Sequence, residues 1–303
     1  MTTASKILYV IAGPTASGKT AAAIALAQRL DTCIISADSR QCYREMTIGT
    51  AKPTANELAA VKHYFIDEFP VTQELTAADF ERLALGYLNE IFATRHTAVL
   101  CGGTGLYIKA LCEGLDAMPA TDPDIALRTE AEYKENGIEW LQQAVETEDP
   151  EFYETAEVQN PARLLRALSF IRSTGKSIVH YRSHTPKERP FRIIKIGLEL
   201  PREVLYDRIN RRVAMMMTEG LESEVRGLIP YKHLKNLQTV GYAELFEHFE
   251  GKCTLAEAVD KIKQHTRNYA KRQMTWFRKD AEMTWLRADD EQLVTKILAI
   301  STA

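Results

Sequence analysis

The glycine-rich segment Gly13–Thr20 (GPTASGKT) has the residue types and spacing that point most directly to chemistry. It matches G-x-x-x-x-G-K-[ST], a pattern whose backbone N–H groups surround a phosphate. Lys19 adds a full positive charge, and the Thr20 hydroxyl is placed to hold a Mg²⁺ ion that bridges phosphates. We predict a diphosphate site formed by Gly13, Pro14, Thr15, Ala16, Ser17, Gly18, Lys19 and Thr20. The alternative is a glycine turn that binds nothing.

A carboxylate, Asp38, follows the second predicted strand and is placed to take a proton from a nucleophile beside the phosphate site. An Asx turn or a helix cap explains this residue equally well. Asp67 and Glu68 match the metal carboxylate of nucleotide hydrolases only weakly. The third predicted strand ends in glycine without an acidic residue. This pattern counts modestly against an NTP hydrolase, and less against a group transferase, which must exclude water.

The tetrapeptide Gly102–Gly105 (GGTG) is a second glycine-rich turn that leads into a predicted helix. The hydroxyl of Thr104 could donate a hydrogen bond to a leaving oxygen. A tight connection between strand and helix is an equally good interpretation of this tetrapeptide taken alone.

An alternation of strands and helices must position these loops. Apolar strands are predicted at 6–12, 32–37 and 97–101, and helices at 20–30 and 75–94. This order predicts a parallel sheet covered by helices, with ligands beyond the carboxyl ends of the strands. Later in the chain, strands are predicted at 191–200 and 282–287, and helices at 160–173, 201–229 and 254–279.

The segment 118–186 has a different character from its flanks. Residues 120–160 carry 12 Asp/Glu against two Lys/Arg and contain no strand candidate. We therefore predict an α/β fold with a P-loop parallel-sheet core, formed by 1–117 and 187–303, and a helical insertion domain at 118–186.

Composition limits the class of protein. The chain has 303 residues with 45% hydrophobic content, which is ordinary for globular proteins. It lacks an apolar run of 18 residues, so we expect no membrane segment. Its five cysteines are never spaced C-x-x-C, which argues against a disulfide framework or a zinc site and for a reducing compartment.

The net charge of −3 conceals a basic region. Residues 161–280 hold 24 Lys/Arg against 13 Asp/Glu, and the rest of the chain holds 14 against 28. Within this region, Lys261–Lys279 carries seven Lys/Arg with Tyr269, Trp276 and Phe277 interleaved. Basic and aromatic side chains together suit looped or single-stranded RNA. An amphipathic helix with a solvated basic face explains the pattern about as well.

Taken together, these segments resemble the tRNA dimethylallyltransferase family (tRNA isopentenyltransferases). The resemblance spans nearly the whole chain in the right order, and the combination is far more specific than any one motif. The matching stretches are GPTASGKT (13–20), SADSRQCY (36–43), IGTAKP (48–53), GGTGLY (102–107), NPARLLRAL (160–168), VGY (240–242) and KRQMTWFR (271–278).

The resemblance implies transfer of a dimethylallyl group from dimethylallyl diphosphate to N6 of adenine 37, beside the tRNA anticodon. Mg²⁺ would assist, and diphosphate would be released. By similarity, Asp38 is the general base, Thr104 contacts the diphosphate near the breaking bond, and Arg212 binds the diphosphate. Because Arg211 is adjacent, the choice between these two arginines stays open.

The resemblance also implies a contact surface for the anticodon stem-loop of tRNA, and we expect a cytoplasmic monomer. The residues that match tRNA-contacting segments are Asp38, Ser39, Arg40, Gln41, Arg163, Arg166, Gln238, Val240, Gly241, Tyr242, Lys271, Arg272, Gln273, Trp276 and Arg278. Two other classes remain as alternatives: a P-loop small-molecule kinase with Asp38 as base, and a non-catalytic RNA-binding module whose P-loop is only an anion site.

Overall fold

The computed structural model describes residues 6–183 and 185–302, and within them six strands form one sheet in which every neighbouring pair is parallel. The order across the sheet is β3-β2-β4-β1-β5-β6. The strands are β1 (Ile7–Ala12), β2 (Ile34–Ser36), β3 (His63–Tyr64), β4 (Thr97–Gly102), β5 (Arg192–Glu199) and β6 (Thr284–Arg287). The predicted α/β class is therefore confirmed.

Strand β1 shows why the centre of the sheet is buried on both faces. Leu8 and Val10 belong to one core cluster, and Tyr9 and Ile11 belong to another. Because successive side chains of a strand point to opposite faces, a continuous apolar run fills both layers. Strand β3 was not predicted from the sequence, because it is two residues long and owes its strand geometry to pairing with β2.

Several helices begin at a residue that caps them. Thr54, Thr76 and Thr254 each form a capping box with the acidic residue three positions later. In the described part of the chain, no helix is long and apolar enough to cross a bilayer. The helices are α1 (Lys19–Arg29), α2 (Ala55–Ala60), α3 (Ala77–Thr94), α4 (Gly105–Glu113), α5 (Pro123–Glu148), α6 (Pro150–Thr155), α7 (Pro161–Thr174), α8 (Arg202–Thr218), α9 (Leu221–Gly227), α10 (Ala243–Phe249), α11 (Leu255–Phe277) and α12 (Leu293–Thr302).

The chain divides into two compact units. The first contains the sheet and consists of the residues up to Glu113 and those from Glu188 onward. The second is Gly114–Lys187, whereas the sequence placed its limits at 118 and 186. This second unit holds α5, α6 and α7 around a core of its own, which includes Leu141 and Leu168.

Loops that follow β1, β2 and β4 meet at the carboxyl edge of the sheet. The N–H of Ala37 donates to the carbonyl oxygen of Cys101 at 2.7 Å, and the N–H of Thr104 donates to that of Ala37 at 3.1 Å. A Cβ on Gly102 would lie 2.2 Å from the Ala37 carbonyl oxygen. Close packing of the two loops therefore requires the glycine at position 102.

Candidate active site

The phosphate loop, Gly13–Lys19, has a backbone conformation that only a few residue types tolerate. Gly13 has a φ of 149° and Gly18 a φ of 98°, in the range where L side chains are strained. The Ser17 hydroxyl is fully buried and has no hydrogen-bond partner among the residues that the structure describes. Buried hydroxyls without a partner are rare, so a bound anion would supply the acceptor that Ser17 lacks.

Lys19 lies in the loop and begins α1. Its Nζ donates to the carbonyl oxygen of Pro14 at 2.6 Å. Burial lowers the pKa of Lys19 to about 8, and the positive charge of Arg212 lowers it too, whereas Cys101 and Asp38 raise it. A dianion bound here would restore the preference for the charged form, because it replaces the solvation that burial removes.

Helix α8 supplies further cations on one face. The Arg212 Nη1 lies 3.5 Å from the Thr15 Oγ1 in the phosphate loop. The Nη1 of Arg208, one turn earlier, lies 3.6 Å from the position that a Cβ on Gly18 would occupy. Arg211 is exposed and pairs with Asp207. Of the two arginines left open by the sequence, Arg212 is therefore the one at the loop. Burial and the charge of Arg208 lower the pKa of Arg212.

Asp38 is half-buried at the carboxyl end of β2. Its Oδ1 accepts the N–H of Arg40 at 2.9 Å and the N–H of Gln41 at 3.3 Å. The Asx turn that the sequence left as an alternative is thus present. Because Oδ1 accepts both bonds, the turn fixes the carboxylate but does not use its second oxygen, Oδ2. A structural turn and a proton acceptor are compatible at this residue.

Thr104 joins the loop after β4 to the loop that carries Asp38. Its Oγ1 accepts the N–H of Ser39 at 3.1 Å and donates to the Ser39 Oγ at 3.4 Å. The Thr104 hydroxyl therefore contacts Ser39, the residue that follows the candidate base Asp38 in the chain. This places two of the three predicted catalytic residues in directly bonded loops.

A cavity of about 250 Å³ lies between the phosphate loop, the Asp38 loop and helices α8 and α11. Its lining combines the charged side chains of Asp38, Arg40 and Arg212 with the apolar side chains of Met216 and Ile262. Such a cavity suits a small molecule with an anionic end and a hydrocarbon end. The lining residues are Thr15, Asp38, Ser39, Arg40, Gly49, Thr50, Ala51, Arg212, Val213, Met216, Thr239, Val240, Gly241, Ile262, Thr266 and Tyr269.

The described residues contain no group of three or more His, Cys, Asp or Glu side chains that could hold a metal ion. The half-buried Thr20 lies in the first turn of α1, beside the loop. Mg²⁺ commonly binds through one or two protein groups together with substrate phosphates. The donor set here therefore fits Mg²⁺ only alongside a bound diphosphate, and Thr20 is the residue that could hold it.

Most of the residues predicted to contact RNA are accessible. Ser39, Arg40 and Gln41 are half-buried in the loop after Asp38, and Val240 is half-buried where it lines the cavity. The exposed ones are Arg163 and Arg166 on α7, Gln238, and Lys271, Arg272, Trp276 and Arg278 in or just after α11.

Three of the residues predicted to contact RNA are buried. Tyr242 is fully buried, and its hydroxyl donates to Glu224 at 2.6 Å. Gly241 is buried beside it. Gln273 is 6% exposed, and both ends of its amide bond to the protein backbone. The side chains of Tyr242 and Gln273 face the protein interior, because the motifs that contain them also form part of the core, whereas the Gly241 backbone lines the cavity.

Asp67 and Glu68, the weak candidates for metal carboxylates, have structural partners. Asp67 pairs with Lys52, and Glu68 accepts the N–H of Phe65 at 2.6 Å and the hydroxyl of Tyr87. Neither carboxylate lines the cavity. Their hydrogen bonds stabilise the segment around β3.

Glu224 on α9 was not found from the sequence. Its carboxylate accepts the N–H groups of Thr47, Ile48 and Gly49 at 3.0, 2.7 and 3.1 Å. These bonds hold the loop whose next residues line the cavity. No local pattern signals such a contact, since 175 to 177 positions separate the partners.

The face of α8 that meets the phosphate loop did have a local pattern in the sequence, because Arg208, Arg212 and Met216 recur every four residues.

Known proteins resemble the chain over nearly its whole length. The family model described as IPP transferase matches residues 41–280. The tRNA dimethylallyltransferase of Christiangramia forsetii is 49% identical over 278 residues, which are 92% of each chain. The tRNA dimethylallyltransferase 1 of Bacteroides thetaiotaomicron is 43% identical over 97% of this chain and 95% of its own.

Solved structures agree with this comparison. The tRNA isopentenylpyrophosphate transferase of Bacillus halodurans has a TM-score of 0.72 and 36% identity, and the match covers 98% of this chain and 96% of that one. A eukaryotic dimethylallyltransferase acting on tRNA has a TM-score of 0.81 over 98% of this chain and 79% of its own. Its 23% identity supports the fold alone. From the family match and the 49% identity, the chain belongs to the IPP transferase family.

Proposed function

We propose that the protein transfers a dimethylallyl group from dimethylallyl diphosphate to N6 of adenine 37 in tRNA. In this reaction the adenine N6 forms a bond to the allylic carbon, the bond from that carbon to oxygen breaks, and diphosphate leaves with the electron pair. Asp38 accepts the proton that N6 loses. The observation that carries this proposal is one cavity that is lined by Asp38, by the phosphate-loop residue Thr15 and by the apolar side chains of Met216 and Ile262.

Charge and shape support the part of the proposal that concerns the group donor, dimethylallyl diphosphate. The phosphate loop, Lys19 and Arg212 together suit a diphosphate, whose negative charge grows as it leaves. Met216 and Ile262 line the same cavity and offer apolar contact to a five-carbon chain. These apolar side chains suit the hydrocarbon part of an allylic diphosphate.

The exposure of residues around the cavity supports the part of the proposal that concerns the acceptor, tRNA. Asp38 lies on the cavity wall with Ser39 and Arg40, and α11 presents Lys271 and Arg272 to solvent. Cations and aromatic rings bind RNA loops through phosphates and bases. The curated relatives are named as enzymes that modify tRNA, which supports the same acceptor. An adenine that reaches Asp38 must leave its stack, at a cost of a few kcal/mol.

Mg²⁺ is the proposed cofactor, and when bound it would neutralise part of the charge on the diphosphate. Thr20 would hold it. The rest of the stabilisation comes from the protein, since Lys19 and Arg212 already supply two cations at the phosphate loop. A monomer in the cytoplasm remains our expectation for the protein's working state.

A nucleoside assay tests the proposed function. The protein is incubated with dimethylallyl diphosphate, Mg²⁺ and unmodified tRNA that carries adenines at positions 36, 37 and 38, and the RNA is digested. We expect N6-dimethylallyladenosine, and none from a tRNA with guanine at position 37. Absence of the product from the adenine-containing tRNA would falsify the proposal.

The variant Asp38→Asn assigns the base in the same assay. Asparagine keeps the size of the side chain and one oxygen for the turn, but it does not accept a proton at neutral pH. We expect turnover to fall by about 10²- to 10⁴-fold while tRNA affinity stays unchanged. If the wild-type protein instead transferred phosphate from ATP to a hydroxyl group, that activity would favour the kinase alternative.

A further inference from the structure

Gln273 on α11 connects two loops that are far apart in sequence. Its Oε1 accepts the N–H of Thr15 in the phosphate loop at 2.8 Å, across 258 positions. Its Nε2 donates to the carbonyl oxygen of Gly103 at 2.9 Å, across 170 positions. The side chain is only 6% exposed. One amide thus satisfies a backbone donor of the first loop and a backbone acceptor of the other.

The loop after β4 is shaped to admit this amide. A Cβ on Gly103 would lie 2.2 Å from the Gln273 Nε2, a separation that real Cβ atoms do not show. Gly103 has no positive φ, so its lack of a side chain serves close approach rather than backbone conformation. One turn further along α11, Trp276 covers Gly105 in the same way, since a Cβ there would lie 2.2 Å from the indole. Helix α11 therefore packs against the Gly103–Gly105 turn through two side chains.

The two loops that Gln273 joins carry different parts of the donor site. The phosphate loop contains Lys19, and the turn at Gly103 continues into Thr104, which bonds to the Asp38 loop. Transfer needs these parts at fixed separations, because a displacement of about 1 Å can cost about 10²-fold in rate. A buried amide with both ends bonded is a rigid spacer, since moving either loop breaks a buried hydrogen bond.

We propose that Gln273 is a positioning residue that holds the phosphate loop and the Thr104 loop in register for the transfer reaction. This inference rests on the proposed function for its catalytic consequence. It replaces the RNA contact that the sequence predicted for Gln273. The two roles differ in what they change: a positioning residue affects turnover and diphosphate binding, whereas an RNA contact affects tRNA affinity.

The substitution Gln273→Met tests the role, because methionine has a similar length and neither bonds to Thr15 N–H nor donates to Gly103. The matched control is Gln264→Met, the same change at an exposed position of α11. We expect Gln273→Met to lower kcat by about 30- to 100-fold. It should leave the tRNA Kd within twofold, and the control should leave both unchanged. A tenfold weaker tRNA Kd with unchanged kcat would overturn the proposal.

Binding of inorganic diphosphate, measured by calorimetry, gives a readout that does not need transferase activity. Gln273→Met releases the Thr15 amide, so we expect diphosphate to bind about tenfold more weakly than to the wild-type protein or to Gln264→Met. If the wild-type protein makes no dimethylallyladenosine, the proposed function fails, and this measurement still decides whether Gln273 positions the loop. Equal diphosphate affinity in all three proteins would reject the role.

A double-mutant cycle distinguishes a specific effect of the contact between Gly103 and Gln273 from a general loss of folding. Gly103→Ala alone pushes a Cβ onto the Gln273 amide, whereas Gln273→Ala makes room for that Cβ. We expect Gly103→Ala to cost much less activity in the Gln273→Ala background than in the wild-type background. If the loss of activity in the double variant equals the product of the losses in the two single variants, the contact does not set the position of the loops. Thermal melting of each variant monitors folding.

Discussion

The guanidinium of Arg212 lies 3.5 Å from the hydroxyl of Thr15, although 197 positions separate the two residues. The contact brings a cation from α8 to a loop that already contains Lys19. Its neighbour Arg211 points to solvent and pairs with Asp207, so adjacent residues of one type serve different purposes.

This pair of arginines gives the first prediction. Arg212→Ala removes a half-buried charge at the phosphate loop, and we expect kcat/KM for the donor diphosphate to fall by about 10²-fold. Arg211→Ala is the matched control and should stay within about twofold, because an exposed ion pair contributes little. Steady-state kinetics with varied dimethylallyl diphosphate makes the comparison. A larger loss in Arg211→Ala would show that α8 is turned differently in the working enzyme.

Diphosphate binding should depend on pH through Lys19. Its lowered pKa of about 8 means that the free protein loses this charge as the pH rises from 7 to 9. A bound diphosphate raises the pKa again, so affinity falls with rising pH, by about tenfold at pH 9 relative to pH 7. Calorimetric titration at several pH values measures this. Lys19→Met should bind weakly throughout and lose this part of the dependence, and parallel curves for the two proteins would contradict the assignment.

Glu224 should matter for stability as well as activity. Glu224→Ala leaves the N–H groups of Thr47, Ile48 and Gly49 without their acceptor, and we expect the free energy of unfolding to fall by about 2 kcal/mol. Denaturant unfolding measures the change. The control Glu222→Ala removes only a surface pair with Arg226 and should cost less than about 1 kcal/mol. Equal losses would mean that solvent replaces the three bonds without penalty.

The exposed cations of α11 should make tRNA binding sensitive to salt. Each phosphate contact with a single strand contributes a slope of about −0.7 in log K against log salt concentration, and one with a duplex about −0.9. Replacing both Lys271 and Arg272 by Ala should therefore make the slope shallower by about 1.5. Filter binding over a series of salt concentrations tests this. Lys296→Ala on α12, where Lys296 pairs with Asp290, serves as the control and should not change the slope.

Local patterns were enough for much of the fold. The strand at Ile7–Ala12 and the loop after it could be predicted, because apolar runs, glycines and a following helix are properties of neighbouring residues. Element ends were displaced by a few residues: β2 is Ile34–Ser36 rather than 32–37. The pairing of a strand with its neighbours decides where the strand ends, and the residues of the strand alone do not predict that pairing.

The candidate site was predictable in part for the same reason. Asp38 and Thr104 follow strands, and parallel strands bring their carboxyl ends to one edge, so their proximity follows from the order of elements. The roles of Tyr242 and Gln273 did not follow. A motif shows that a residue type is present, whereas only packing shows whether the side chain faces solvent or the core.

By itself, the sequence determined the class of fold, the phosphate loop and the order of the loops around it, since each depends on residues that are close together in the chain. Tertiary structure decided which arginine of α8 reaches that loop, which glutamate holds the segment at Ile48, and where the amide of Gln273 lies. These contacts join residues 170 or more positions apart. Chain folding sets such distances through the rotation and packing of whole helices, so no short stretch of sequence contains them.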